Sequence, residues 1–139
     1  MEVRIASRDD ADELLALNEL FGNATSLELL RESLLENDRE VVCIAYCDGV
    51  AAGYCCGLIV TSMCYGERRA DIEALYVKEE FRRQGIGEAL LTCLDECLAA
   101  RGIQHFHLTT HRDNATAQAL YKKLGYVDSG EILMEKSKA

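Results

Sequence analysis

Between Arg82 and Gly87 the chain reads Arg-Arg-Gln-Gly-Ile-Gly, and these residue types at this spacing suit the binding of a phosphate group. Gly85 and Gly87 carry no Cβ, so an anion can approach the main chain closely. A helix starting here would present amides with no partner inside the helix, at the positive end of its dipole. Arg82 and Arg83 add fixed positive charge in a form matched to phosphate oxygens. A pyrophosphate is the expected ligand, and a tight turn that binds nothing is the competing account. The run is not a Walker A loop, because no Gly-Lys-Ser/Thr follows. It is a poor dinucleotide fingerprint, because Leu90 stands where the third glycine belongs.

The flanking residues predict what positions this loop. Asp71 to Val77 alternates, which predicts a strand with Asp71, Glu73, Leu75 and Val77 on one side and Ile72, Ala74 and Tyr76 on the other. Ile86, Ala89, Leu90, Cys93, Leu94, Cys97 and Leu98 recur at helical spacing, so a strand feeds a glycine turn that opens a helix. Carboxylates on a half-buried strand are costly unless solvated or paired. Glu73 and Asp71 therefore predict an open cleft and are candidate general bases, with a salt bridge to Arg68 or Arg69 as the alternative.

The remaining pattern predicts a mixed α/β fold. Val3–Ala6 is a short strand, and Ser7 caps a helix to about Phe21 with Ala11, Leu14, Leu15 and, at the margin, Leu17 buried. Thr25 and Glu28 form a capping box for a second helix carrying Leu27, Leu30, Leu34 and Leu35, which Asn37-Asp38 ends. Strands at Val41–Cys47 and Ala51–Cys64 flank an Asp48-Gly49 hairpin turn, and Gly53 and Gly57 suggest a bulge or close backbone approach. Tyr65-Gly66-Glu67 leads into the central strand. The long helix ends near Ala100 at Gly102; Ile103–Thr110 is a strand and Asn114–Leu124 a helix with Ala117, Leu120, Tyr121 and Leu124 on one side. A last hairpin is expected from Tyr126-Val127 and Ile132–Lys136 around Asp128-Ser129-Gly130, then a frayed Ser137-Lys138-Ala139. The strand–helix–strand crossover wants parallel pairing and the meander before it antiparallel pairing, so a mixed sheet with helices on both faces follows.

The 139 residues suit a single domain, and nearly half are apolar. No linker, repeat or membrane-spanning run is evident, nor a basic-then-apolar leader, so a cytoplasmic protein is expected. The net charge of −9 argues against nucleic acid and is compatible with a cationic amine. Seven cysteines with no Cys-x-x-Cys pair are most simply reduced apolar residues in a reducing compartment. His105 and His107 have the spacing of two metal ligands without an evident third, so no metal is expected; His111 is expected in a solvated loop.

Arg82 to Gly87 after a strand ending Leu-Tyr-Val resembles the acetyl-CoA loop of the GNAT superfamily of N-acetyltransferases. Asn114-Ala115-Thr116-Ala117-Gln118-Ala119-Leu120-Tyr121-Lys122-Lys123-Leu124-Gly125-Tyr126 resembles that superfamily's second signature. The resemblance covers nearly the whole chain. It implies a GNAT fold and acetyl transfer from acetyl-CoA to a primary amine, with a non-catalytic CoA-binding sensor as the alternative. It implies cofactor contacts along Leu75, Tyr76 and Val77, through Arg82, Arg83, Gln84, Gly85, Ile86, Gly87 and Glu88, and from Asn114, Ala117 and Tyr121. Tyr121 matches the family's general acid, and an amide near Leu75 would hold the developing oxyanion. The acceptor is expected near Phe21, Asn23, Tyr65, Asp128 and Glu131, and a homodimer is possible by analogy.

Overall fold

A computed structural model describes residues 1–36 and 38–138. Asn37 and Ala139, where a helix end and the last of the frayed tail are expected, lie outside the described residues, as does the side chain of Leu35. The chain falls into two compact units, Met1–Leu108 and a smaller one from Thr109 on.

The larger unit holds a five-stranded sheet in the order β1-β2-β3-β4-β5. Its strands are β1 (Glu2–Ile5), β2 (Glu40–Cys47), β3 (Val50–Val60), β4 (Arg69–Val77) and β5 (Phe106–Leu108). The first four pair antiparallel, and β4 pairs with β5 in parallel. Helix α3 (Ile86–Ala99) packs Ile86, Leu90, Leu94 and Leu98 on one face, against Val41, Cys43, Cys55 and Ala70. On the other face, Leu14 and Leu17 of α1 (Ala11–Phe21) and Leu30 and Leu34 of α2 (Leu27–Glu36) pack against Ile44, Tyr54 and Ala74. Each fully buried aliphatic side chain here contributes about 2 kcal/mol. Among the described residues no helix is long and apolar enough to cross a membrane.

Local chemistry explains the element ends. Asp48 and Gly49 both have positive φ (50° and 78°), the backbone a two-residue hairpin needs. Between β1 and α1, Asp10 is buried and satisfied. It accepts from Arg4 at 2.7 and 3.0 Å, the Ser7 N–H at 2.7 Å and the Tyr46 hydroxyl at 2.7 Å. These donors, Arg4 foremost, hold its carboxyl well below the usual carboxylate range. Gly53 lets the β4 backbone approach: a Cβ there would lie 2.5 Å from the Tyr76 carbonyl oxygen.

Several expectations need correction. Ser26, not Thr25, caps α2, its Oγ accepting the Leu29 N–H at 3.1 Å. Strand β3 stops at Val60, and β5 is confined to Phe106–Leu108. Among the described residues no strand forms after Tyr126. Asp128 accepts the Gly130 N–H at 2.8 Å and Ser129 the Glu131 N–H at 3.2 Å, so the turn closes on its own side chains. Val127, Ile132, Leu133 and Met134 stay exposed, and no burial drives a ladder.

Candidate active site

Strand β4 contains a bulge that sequence alternation cannot see. Its register runs Cys56↔Ala74 and then Gly57↔Ile72, so Glu73 is an extra residue with no partner on β3. The face assignment therefore flips midway. Ile72, Leu75 and Val77 all pack beneath α3, while Ala74 and Tyr76 lie on the α1 side. Asp71, alternating with Ala70 and Ile72, lies on the α1 side as well. The expectation that Asp71 and Glu73 share a face with Leu75 and Val77 is thus wrong, because one inserted residue resets a period of two.

The same ladder shows which groups β4 leaves open. Lys78 N–H donates to the Ala52 carbonyl at 2.8 Å, so by alternation Tyr76 and Ala74 bond to β3 while Leu75 and Val77 turn their N–H and C=O the other way. That way lies β5, but β5 pairs only from Ala70 to Ile72. Past Ile72 the outward groups of Leu75 and the N–H of Val77 run beyond the end of their neighbour, while the Val77 carbonyl accepts from Arg82.

Next in the chain comes the loop. A 3-10 turn at Glu79–Phe81 leads to Arg82, then to two left-handed residues, Arg83 (φ 65°) and Gly85 (φ 80°). A left-handed non-glycine residue is strained, and such strain clusters at functional sites. Gly85 is the N-cap of α3, and no side chain caps that helix start. Its carbonyl accepts the first intrahelical bond, from the Ala89 N–H at 3.0 Å. The amides of the first turn face back toward Arg83 and Gln84, both exposed. Arg82 is committed locally: its Nε donates to the Val77 carbonyl at 2.9 Å and its guanidinium stacks over Tyr76 at 5.7 Å. It ties the loop to the end of β4, and both arginines of the pair are exposed.

On the α1 side of β4 an acidic and aromatic surface forms. Phe21 packs on Tyr76 (5.5 Å) and Tyr54 (6.5 Å). Asn18 accepts from the Tyr54 hydroxyl at 2.6 Å and from Asn23 at 3.0 Å. Asp71 is ion-paired with Arg69 at 3.0 Å, the alternative weighed for it. Glu73 reaches solvent, yet partial burial first, then repulsion from Asp71 and Glu40, raises its pKa. A groove of about 810 Å³ under α1 and α2 is lined by Asn18, Ser33, Glu40, Tyr54 and Cys56 among others. Sequence reasoning misses Glu40 and Tyr54, and no spacing signal marks them.

In the smaller unit, α4 (Ala115–Lys123) is capped by Asn114, whose Oδ1 accepts the Ala117 N–H at 3.1 Å. Gln118 Nε2 donates to the carbonyls of His111 (3.1 Å) and Arg112 (2.7 Å), fixing the entry to the helix. Gly125 (φ 97°) ends it, and Tyr126 N–H returns to the Tyr121 carbonyl at 2.9 Å. Tyr121 is half-buried, its ring edge-on to Tyr126 at 6.0 Å, and burial raises its phenol pKa. It is therefore a neutral O–H at physiological pH, able to give a proton. Tyr65 is exposed, His105 Nε2 lies 3.1 Å from the Glu67 carboxylate, and His111 Nδ1 accepts the Asp113 N–H at 3.2 Å.

A family model described as the acetyltransferase (GNAT) family matches residues 9–126, reaching into both units. An acetyltransferase of Pectobacterium atrosepticum is 31% identical over 91% of this chain and 87% of its own. An acetyltransferase of Yersinia pestis is 29% identical over 98% of this chain and 94% of its own. Among solved structures, aminoglycoside acetyltransferase AAC(6')-Iy, in complex with a bisubstrate analogue of coenzyme A, is similar in fold. Its TM-score is 0.85 at 19% identity, covering 99% of this chain and 98% of that chain. An aminoglycoside acetyltransferase from an uncultured soil metagenomic sample gives 0.84 at 25% identity over 99% and 97% of the two chains.

Proposed function

The chain belongs to the acetyltransferase (GNAT) family, and from that premise we propose that it moves an acetyl group from acetyl-CoA to a primary amine by direct attack in a ternary complex. The observation that carries this is the continuity of one edge: the outward groups of Leu75 and the N–H of Val77 run past the end of β5 into a helix start that no side chain caps. A pantetheine arm, built of amides, fits the first part. A pyrophosphate fits the second, on the amides from Arg83 to Glu88. We read residues 1–139 as one such domain, a reading supported by a family match that spans both units.

The chain's own groups then divide the work. The Leu75 amide, preorganised and pointing outward, donates to the thioester oxygen as negative charge develops there. Glu73, with its raised pKa, takes a proton from the acceptor's ammonium, directly or through water, and the neutral amine so formed attacks the thioester carbon. Asp71, held by Arg69, contributes charge rather than base strength. The likeness of Asn114–Tyr126 to the family's second signature assigns Tyr121 the role of giving its proton to the departing sulfur. Asn114 and Ala117 set the start of α4 and so the position of Tyr121. With Glu73 exposed on the α1 side of the sheet beside Asp71 and Glu40, the acceptor is a small molecule carrying a cationic nitrogen. The aminoglycoside substrates named for the structural neighbours support that class.

Two measurements test this together. Calorimetry reads coenzyme A binding, and release of free thiol from acetyl-CoA reads turnover across an amine panel. Tyr121→Phe is expected to slow turnover about 10²–10⁴-fold with unchanged coenzyme A affinity. Absence of coenzyme A binding by folded protein overturns the proposal; undiminished turnover in Tyr121→Phe overturns the role of Tyr121.

A further inference from the structure

Away from the loop, three thiols converge. The sulfurs of Cys43 on β2 and of Cys93 and Cys97 on α3 all lie within 4.8 Å of one another. Cys93 and Cys97 are one helical turn apart, and Cys43 rises from the strand beneath them. Cys43 is fully buried; the other two are half-buried, so the cluster can be reached from the helix side. The surroundings are the apolar core under α3. We propose that Cys43, Cys93 and Cys97 form a three-thiol site for a trivalent thiophilic hydroxide of the arsenite class.

Ligand count and charge each select that chemistry. Zinc wants a fourth ligand, and among the described residues no fourth His, Cys, Asp or Glu joins the three. Cys55 lies against Cys43, but its thiol donates to the Leu90 carbonyl at 3.3 Å. Net charge is costly in an apolar core. Three thiolates leave a monovalent ion at −2 and a divalent ion at −1, and the groups acting most strongly on these sulfurs include the anion Glu96 but no cation. A trivalent centre leaves no charge. A neutral hydroxide condenses with neutral thiols. Three bonds from the central atom to oxygen break and three to sulfur form. Each leaving hydroxide takes one thiol proton and departs as water, and no electrons change hands.

Occupancy would staple α3 to β2 while leaving the Arg82–Gly87 loop open, and the site stands whether or not acetyl transfer does. The test uses the whole chain, reduced with a phosphine and titrated with sodium arsenite. One equivalent is expected to bind, with three sulfur neighbours by X-ray absorption at the arsenic edge. Melting temperature should rise by roughly 5–10 °C at a hundredfold excess over the dissociation constant. Cys97→Ala should abolish that rise, while Cys64→Ala, at an exposed position outside the cluster, should keep it. A two-sulfur site in the wild type, an equal rise in Cys97→Ala, or a larger rise with zinc than with arsenite overturns the proposal. The sulfur count in the wild type decides it even if a variant fails to fold.

Discussion

Gly85→Ala probes the anion loop with a matched control elsewhere in the same chain. Gly85 has φ 80°, and a Cβ built there would have nothing within 4 Å. The substitution therefore introduces no clash, only the left-handed backbone penalty of about 1–2 kcal/mol. Gly49, in the hairpin between β2 and β3, has φ 78° and the same empty surroundings. Gly49→Ala should cost the same stability, and both variants should melt about 3–8 °C lower than the wild type. They should part on ligand binding. If the substituted loop relaxes out of the left-handed region, binding must restore the strain. Coenzyme A affinity, measured by calorimetry, then falls about 5–30-fold, the equivalent of 1–2 kcal/mol. Gly49→Ala should bind coenzyme A like the wild type. Equal affinity in the two variants would refute the assignment of the pyrophosphate to this turn.

Other expectations follow from the same geometry. Asp10→Asn removes the charge that pairs with Arg4 and should cost about 3 kcal/mol in chemical denaturation. Because the folded pKa of Asp10 is depressed, the stability it supplies is complete above its unfolded pKa of about 4 and lost as pH falls; Asp10→Asn should flatten that acid limb. Glu73 is shifted the opposite way, so its ionisation disfavours the fold above its raised pKa. Glu73→Gln should melt higher than the wild type near neutrality and equally in acid, and should erase the rise of turnover with pH through the Glu73 titration. Gly53→Ala brings a Cβ to 2.5 Å from the backbone oxygen of Tyr76 and should lower expression or stability sharply. Gly57→Ala meets only side-chain tips, of Leu98 (3.2 Å), Ile72 (3.3 Å) and Leu94 (3.6 Å), and should cost about 1 kcal/mol or less.

What can be read from the residues alone is local. The Arg82–Gly87 loop, the Asp48-Gly49 hairpin and the α3 stripe each rest on residues whose effect is exerted within one turn or one strand. What escapes such reading depends on partners distant in the chain. Glu73 sits in a bulge because Gly57 of β3 pairs with Ile72, and no pattern within β4 records that. Arg82 looks like a phosphate ligand in sequence but spends its Nε on Val77. The three thiols belong to β2 and α3, some fifty residues apart, and spacing cannot reveal that they meet. A good turn predicts the final hairpin, yet Val127 and Ile132–Met134 bury too little to hold a ladder.

The strand order has a consequence for how the molecule assembles. Each strand lies beside its predecessor, so the first four can zip together through antiparallel neighbours with modest loop closures. The fifth must wait for the α3 crossover, and three residues then hold it. That seam should be among the last to form and among the first to open in hydrogen exchange. A ligand bridging it acts as mortar, firming the whole sheet in step with the logarithm of its concentration.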